Sequence, residues 1–297
     1  MLCEPMPYVF FAAICLTWGT SFILMKKAAL AFGPYEIAAW RVAGGAAVLA
    51  LLWIARERRW PAPRTHLGPL LLVAGLGYAY PFVIQPYLIG RNGSGFIGMT
   101  VSLVPLLTIL VSLPILGIRP TRRQLGGVLG GLAFLAVMMA DGLRQSIAPL
   151  DLLLAVSVPL SYALTNTYVR RRFRGVSSLG LTLSALTATT AMLAPLAAWQ
   201  TVPSPRGEHF LPAAAALAVL GVVCTGLAAA MFVRLIQDQG PLFAGMVNYL
   251  VPAFAVIWGW ADGERVTAVQ LVALLGVLSM VAVVQYRSAL PTQQLPE

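Results

Sequence analysis

The chain has 297 residues, of which 59% are hydrophobic and only 10% charged, and its formal net charge is +10. Soluble domains carry about 25% charged residues, so this chain has too little polar surface to face water and a soluble globular fold is excluded. The surplus of basic residues sits in short connections between apolar runs, where it serves orientation and lipid headgroup contact, and nucleic acid is not an expected partner.

A helix needs about 20 mostly apolar residues to cross the hydrocarbon. The runs that qualify are 8–27, 34–55, 67–89, 94–117, 122–141, 149–170, 177–200, 211–235, 240–261 and 268–286. They are long, rich in Leu and Ala, and lack the short alternating segments of a membrane barrel. The expected fold class is therefore all-α: a polytopic membrane protein of ten transmembrane helices. The first run has no positive segment before it. Lys26 and Lys27 follow it where a signal peptide would have a small-residue cleavage site, so it reads as a retained span. The connections carry Phe32-Gly33-Pro34, Trp60-Pro61-Ala62-Pro63, Arg91-Asn92-Gly93, Pro203-Ser204-Pro205 and Gln239-Gly240-Pro241.

An even number of spans places both termini on one side. Arg56, Arg58, Arg59, Arg64, Arg119, Arg122, Arg123, Arg170, Arg171, Arg172, Arg174 and Arg287 fall on that side. Lys26, Lys27, Arg91, Arg144, Arg206 and Arg265 fall on the other. The larger set marks the cytoplasm, which predicts a multi-pass protein of the cell inner membrane with cytoplasmic termini. Lys26 and Lys27 run against this bias.

The second half repeats the first. Phe96-Ile97-Gly98-Met99-Thr100-Val101-Ser102-Leu103-Val104-Pro105 aligns with Phe243-Ala244-Gly245-Met246-Val247-Asn248-Tyr249-Leu250-Val251-Pro252. Arg119, Thr121, Gln124, Leu125, Leu129 and Gly130 likewise match Arg265, Thr267, Gln270, Leu271, Leu275 and Gly276. Trp18 falls opposite Tyr162. The organisation is a first repeat over 1–141, a second over 149–286 and a tail over 287–297. Each repeat has an odd number of spans, so the second enters the bilayer inverted. Inverted repeats are a route to alternating access around a midplane site.

These residues resemble the drug/metabolite transporter superfamily, in its EamA-type ten-helix branch. The resemblance rests on Trp18-Gly19-Thr20-Ser21-Phe22, Arg41, the span-four pattern ending at Pro105, and Gly263-Glu264-Arg265 with Thr267 and Gln270-Leu271. It implies a monomer-sized carrier with a central cavity, moving amino acids or other small metabolites, often outward. The first-half counterpart of the Gly-Glu-Arg turn reads Gly117-Ile118-Arg119, so its acid is missing and a mechanistic role for the turn is weakened.

Candidate substrate-binding residues follow from polar and aromatic groups at span depth: Trp18, Ser21 and Phe22 on span one, Tyr78 and Gln85 on span three, Met99 and Ser102 on span four, Tyr162 and Asn166 on span six, and Asn248 and Tyr249 on span nine. They supply the aromatic faces, amides and hydroxyls of a small-molecule site. Pro105 and Pro252 are expected helix kinks. Each displaces a bond to the carbonyl four residues back, here Val101 and Asn248, and their equivalent placement points to a cavity lined by freed carbonyls. Arg41 lies two turns inside span two, which makes it a functional candidate; the preferred reading is that it snorkels outward or pairs with Glu36. Cys15 and Cys224 read as small core residues, and no metal or cofactor is called for.

No Asp, Glu or His lies near the middle of a span, so either facilitated diffusion or exchange, or coupling through a group near a cavity mouth, is expected in place of a transmembrane proton relay. A membrane-embedded enzyme would need a nucleophile with a base, or paired acids, at that depth. A passive pore or scaffold is the third class; a selective pore would show rings of charge or carbonyls. The expected partners are a small-molecule substrate and the lipid bilayer, and a monomer is favoured. Inversion makes a sharp prediction: single cysteines at positions 121 and 267 should react with impermeant thiol reagents from opposite sides of the membrane. Labelling from one side would remove the inverted repeat.

Overall fold

The computed structural model describes residues 6–56, 67–116, 121–173, 175–199, 208–235 and 247–285. Among these, eight helices are long and apolar enough to cross a membrane and two apolar helices are shorter. We number them α1 (Met6–Ala28), α2 (Pro34–Arg56), α3 (Leu67–Asn92), α4 (Ser94–Thr100 continuing through Val101–Leu103 and Val104–Leu116), α5 (Arg122–Arg144), α6 (Pro149–Arg172), α7 (Ser178–Trp199), α8 (Phe210–Leu235), α9 (Val247–Ala261) and α10 (Ala268–Gln285).

The duplication is visible at the helix starts. Thr121 caps α5: its hydroxyl accepts from Gln124 N–H at 3.2 Å, and Gln124 Oε1 accepts from Thr121 N–H at 2.8 Å. Thr267 and Gln270 repeat the exchange at the start of α10. Such a reciprocal cap satisfies two orphan donors of the first turn, which is why Thr-x-x-Gln recurs in both halves.

The packing obeys the same exchange of halves. α1 packs on α9 as α6 packs on α4, and α2 packs on α8 as α7 packs on α3. The pairs α2·α7, α4·α9 and α5·α10 bridge equivalent helices across the pseudo-twofold. The main core cluster joins Met25, Phe96, Met99, Leu103, Leu106 and Val251.

Glycines set the closest approaches, as expected where lipid removes the hydrophobic drive between helices. A Cβ on Gly226 of α8 would lie 3.1 Å from the Gly45 backbone of α2, and one on Gly221 3.1 Å from the Arg41 carbonyl. In the Gly126-Gly127-x-x-Gly130-Gly131 run, Gly130 faces Met280 of α10 and Gly131 faces Leu106 of α4, while nothing lies within 4 Å of a Cβ on Gly126. Gly226→Val should therefore force α2 and α8 apart and cost about 1–3 kcal/mol. Gly126→Ala should be neutral or stabilising by up to about 1 kcal/mol. Melting of the detergent-purified variants checks both, and equal melting temperatures would refute the close approach.

Candidate functional site

Two helices widen at the same place in each repeat. α3 is π-helical over Val73–Ala79 and α8 over Leu220–Leu227, so that Tyr80 N–H reaches Gly75 O and Ala228 N–H reaches Val223 O. A π-bulge leaves carbonyls unpaired, and at membrane depth they need protein partners. Neighbouring side chains supply them. Thr189 Oγ1 donates to Ala74 O at 3.1 Å, and Ser161 Oγ donates to Leu76 O. In the other repeat, Trp18 Nε1 donates to Cys224 O at 3.0 Å, and Thr225 Oγ1 donates to Leu220 O at 2.8 Å.

Arg41 is set against the α8 bulge and is only 5% exposed. Its Nε donates to Thr225 Oγ1 at 2.7 Å and an Nη to Met25 Sδ at 3.4 Å. The guanidinium lies 3.8 Å from the Phe82 ring centroid, and Phe82 meets Tyr78 edge-on at 5.6 Å. One turn along α3 from Phe82, Gln85 faces the Tyr162 hydroxyl at 3.4 Å. Trp18 stacks obliquely on Phe232 at 4.7 Å. Contacts thus run continuously from Trp18 through Cys224, Thr225, Arg41 and Phe82 to Tyr78, Gln85 and Tyr162, drawing on α1, α2, α3, α6 and α8.

The reading of Arg41 as a snorkelling or Glu36-paired residue is overturned. Glu36 instead accepts from Gly33 N–H at 2.8 Å, at the start of α2. Gly44 and Gly45 let α8 approach closely enough for Thr225 to take the guanidinium edge, and Phe82 covers its face. Among the described residues no carboxylate pairs with it. A cation at the centre of a membrane helix costs about 2.5–3.5 kcal/mol on insertion scales, and one hydroxyl, one thioether and one ring are a thin return.

Of the residues singled out from the sequence, the structure brings Trp18, Tyr78, Gln85 and Tyr162 into this cluster. Phe22 and Met99 are buried in the core, where Gly98 admits Phe22 and Ala255. Ser21 and Ser102 turn their hydroxyls onto their own helices, donating to Trp18 O at 2.6 Å and Met99 O at 2.7 Å. Asn166 is exposed, whereas its neighbour Thr165 is buried. Asn248 is buried near the start of α9, and the Tyr249 side chain lies outside the described residues. Pro105 and Pro252 are inside α4 and α9, but the carbonyl of Val101 is not freed: a 3-10 turn over Val101–Leu103 brings Val104 N–H onto it. The π-helical segments lie in α3 and α8, away from these prolines, while α4 carries its 3-10 turn just before Pro105. The sequence signal of the π-helical segments was glycine at helix depth in both halves, Gly75 and Gly77 against Gly221 and Gly226.

One face of the bundle is tied by charge. Glu264, in the α9–α10 turn, accepts from Ser94 N–H and Ser94 Oγ at 2.8 Å, from Gly95 N–H at 2.7 Å and from Lys26 Nζ at 2.8 Å. The left-handed backbone of Gly93, φ 87°, aims those two amides outward from the start of α4. Asp262 pairs with Lys26 at 2.7 Å and Lys27 at 2.5 Å. On the same face Asp151 holds Arg91 and Asn92, both at 2.9 Å, and Thr267 donates to Asp141 at 2.9 Å. Lys26 and Lys27 are therefore paired with acids of the α9–α10 turn. Burial pushes the Glu264 carboxyl up, but Lys26 and the amides of Gly95 and Ser94 outweigh it and hold it below its ordinary range. Lys26 and Lys27 hold Asp262 low against the opposing effect of its burial.

An all-helical bundle of membrane-length spans, with bulges in equivalent helices and a polar cluster shared by both halves, has the build of a polytopic carrier. The EamA-like transporter family matches the chain twice, over residues 5–140 and 150–286. The chain belongs to this family, within the drug/metabolite transporter superfamily, whose fold has ten membrane helices. It is similar to a protein named S-adenosylmethionine/S-adenosylhomocysteine transporter from Chlamydia trachomatis serovar L2, 25% identical over 261 residues, covering 82% of this chain and 77% of the relative. A protein of the same name from Chlamydia muridarum is 25% identical over 274 residues, covering 86% and 84%. A crystal structure 19% identical in sequence shares the fold with a TM-score of 0.67, covering 93% of this chain and 95% of the other.

The lowered carboxyls fix the sign of a pH effect. A group depressed on folding stabilises above its unfolded value and loses that contribution as pH falls through its folded value. Glu264→Gln should melt below wild type near neutral pH, and the gap should close as the pH drops beneath the usual carboxylate range. A gap independent of pH would show that Glu264 acts by shape and not by charge.

Proposed function

We propose that the chain is a carrier for small amino-acid-like metabolites, working outward across the inner membrane by alternating access, with residues 1–141 and 149–286 as the two moving units and both termini cytoplasmic. The observation that carries this is the Arg41 cluster, buried at mid-depth and built from helices of both halves. A site shared by two inverted units is exposed to one side or the other as they rock. The Glu264 and Asp262 ion pairs join α1, α4 and the α9–α10 turn on the outer face, and in this reading they part when that face opens.

Trp18, Tyr78, Gln85 and Tyr162 are the proposed substrate-contacting residues. The names of the chlamydial relatives make S-adenosylmethionine and S-adenosylhomocysteine the first candidates to assay. The acids described lie towards helix ends and connections, Asp141, Asp151, Asp262 and Glu264 among them, which favours exchange or facilitated diffusion over proton coupling. Monomeric action suits a site completed within one chain.

In proteoliposomes, uptake of labelled S-adenosylhomocysteine and of labelled amino acids should saturate and should accelerate when unlabelled substrate is preloaded. Trp18→Ala should lower the rate several-fold while leaving the purified protein monodisperse. Flux that rises linearly without counterflow would establish a passive pore instead.

A further inference from the structure

We infer that Arg41 anchors a carboxylate carried by the substrate, so that the transported class is small metabolites bearing a single carboxylate, such as an α-amino acid or its nucleoside conjugate. This rests on the carrier reading above and names the chemistry of its site.

A buried cation in hydrocarbon needs a counter-charge. Glu36, Asp151, Asp262 and Glu264 are engaged elsewhere, at helix ends, and none of them pairs with Arg41. The guanidinium is nevertheless rigidly held. Thr225 fixes its Nε edge and Phe82 covers a face, while the Nη side meets a thioether, a weak acceptor. That arrangement fixes the plane of a guanidinium fork whose Nη edge meets only a weak acceptor, and carboxylate is the anion whose two oxygens match it. α7, which stands in for α2 in the second repeat, contains no Lys or Arg. The cluster therefore offers one positive charge. A carboxylate balances it; a phosphate, at about −1.5 to −2, would leave charge uncompensated.

A second polar group lies on the Tyr78 and Tyr162 side of the cluster. Thr165 is 4% exposed and its Oγ1 has no hydrogen-bond partner among the described residues. It lies one turn from Tyr162 and packs against Gly77, next to Tyr78. A buried hydroxyl without a partner is costly, and a polar substrate group between Tyr78 and Tyr162 would satisfy it.

The test compares acids with their amides. Labelled S-adenosylhomocysteine and L-phenylalanine serve as probes, with the carboxamide of each as competitor, in thermal-shift binding to the purified full chain and in proteoliposome counterflow. At least one acid should raise the melting temperature and its amide should compete tenfold or more weakly. Arg41→Gln should abolish that preference, and Arg41→Lys should restore part of it. An amide that competes as well as its acid in wild type overturns the inference, and so does an Arg41→Gln variant that keeps the wild-type preference. Should Arg41→Gln fail to fold, the wild-type acid and amide comparison decides alone. Acid-selective binding without counterflow would sustain the anchor and refute the carrier. Counterflow without acid preference would do the reverse, and the absence of both binding and counterflow with either probe would overturn the anchor.

Discussion

A backbone carbonyl left without a partner in hydrocarbon costs several kcal/mol, and the interior of this protein is arranged around meeting that demand. The π-bulges of α3 and α8 open carbonyls at mid-depth, and side chains take them up: Thr189 and Ser161 from neighbouring helices on one side, Trp18 from α1 on the other, with Thr225 closing on its own helix. These bonds bring hydroxyls and an indole to the centre of the bundle. Thr225 then serves twice, donating to Leu220 O and accepting from Arg41. The same bonds that repair the backbone thus seat the one buried guanidinium described at this depth.

Charge is divided between two levels. On one face, Lys26, Lys27 and Arg91 meet Asp262, Glu264 and Asp151, and the amides at the start of α4 join them. Partners here are plentiful and partly hydrated, so the pairs tie helices together at modest cost. At mid-depth no acid among the described residues pairs with Arg41, and its environment is a hydroxyl, a sulfur and a ring. The two levels thus differ in kind: acids and cations tie helices together at the face, while at the centre the guanidinium rests on a hydroxyl, a sulfur and a ring.

Much of the architecture was legible in the amino-acid order. Hydropathy predicted the spans, and the repeated Thr-x-x-Gln before spans five and ten forms paired capping boxes. Trp18, Tyr78, Gln85 and Tyr162, singled out in the sequence as aromatic and amide groups at span depth, meet in the Arg41 cluster. Arg41 was noticed but misjudged. From sequence alone, a residue two turns inside a helix has a route to the surface, and only the approach of α8 through Gly45 and Gly226 removes it. Met99 and Ser102 lie in the core instead, because helical spacing says which residues share a face but not whether that face meets the core.

What the sequence determined by itself was the number of crossings, their duplication and their opposite insertion, because each follows from apolar length and from residues compared along the chain. What only the tertiary structure decided was which polar groups meet at mid-depth. That depends on helix rotation and on approach distances of a few ångströms, set by glycines and bulges on helices nearly two hundred residues apart, as Arg41 and Thr225 are. No local pattern encodes such a meeting; it arises when five helices satisfy one another's backbones in a medium that offers no other partner.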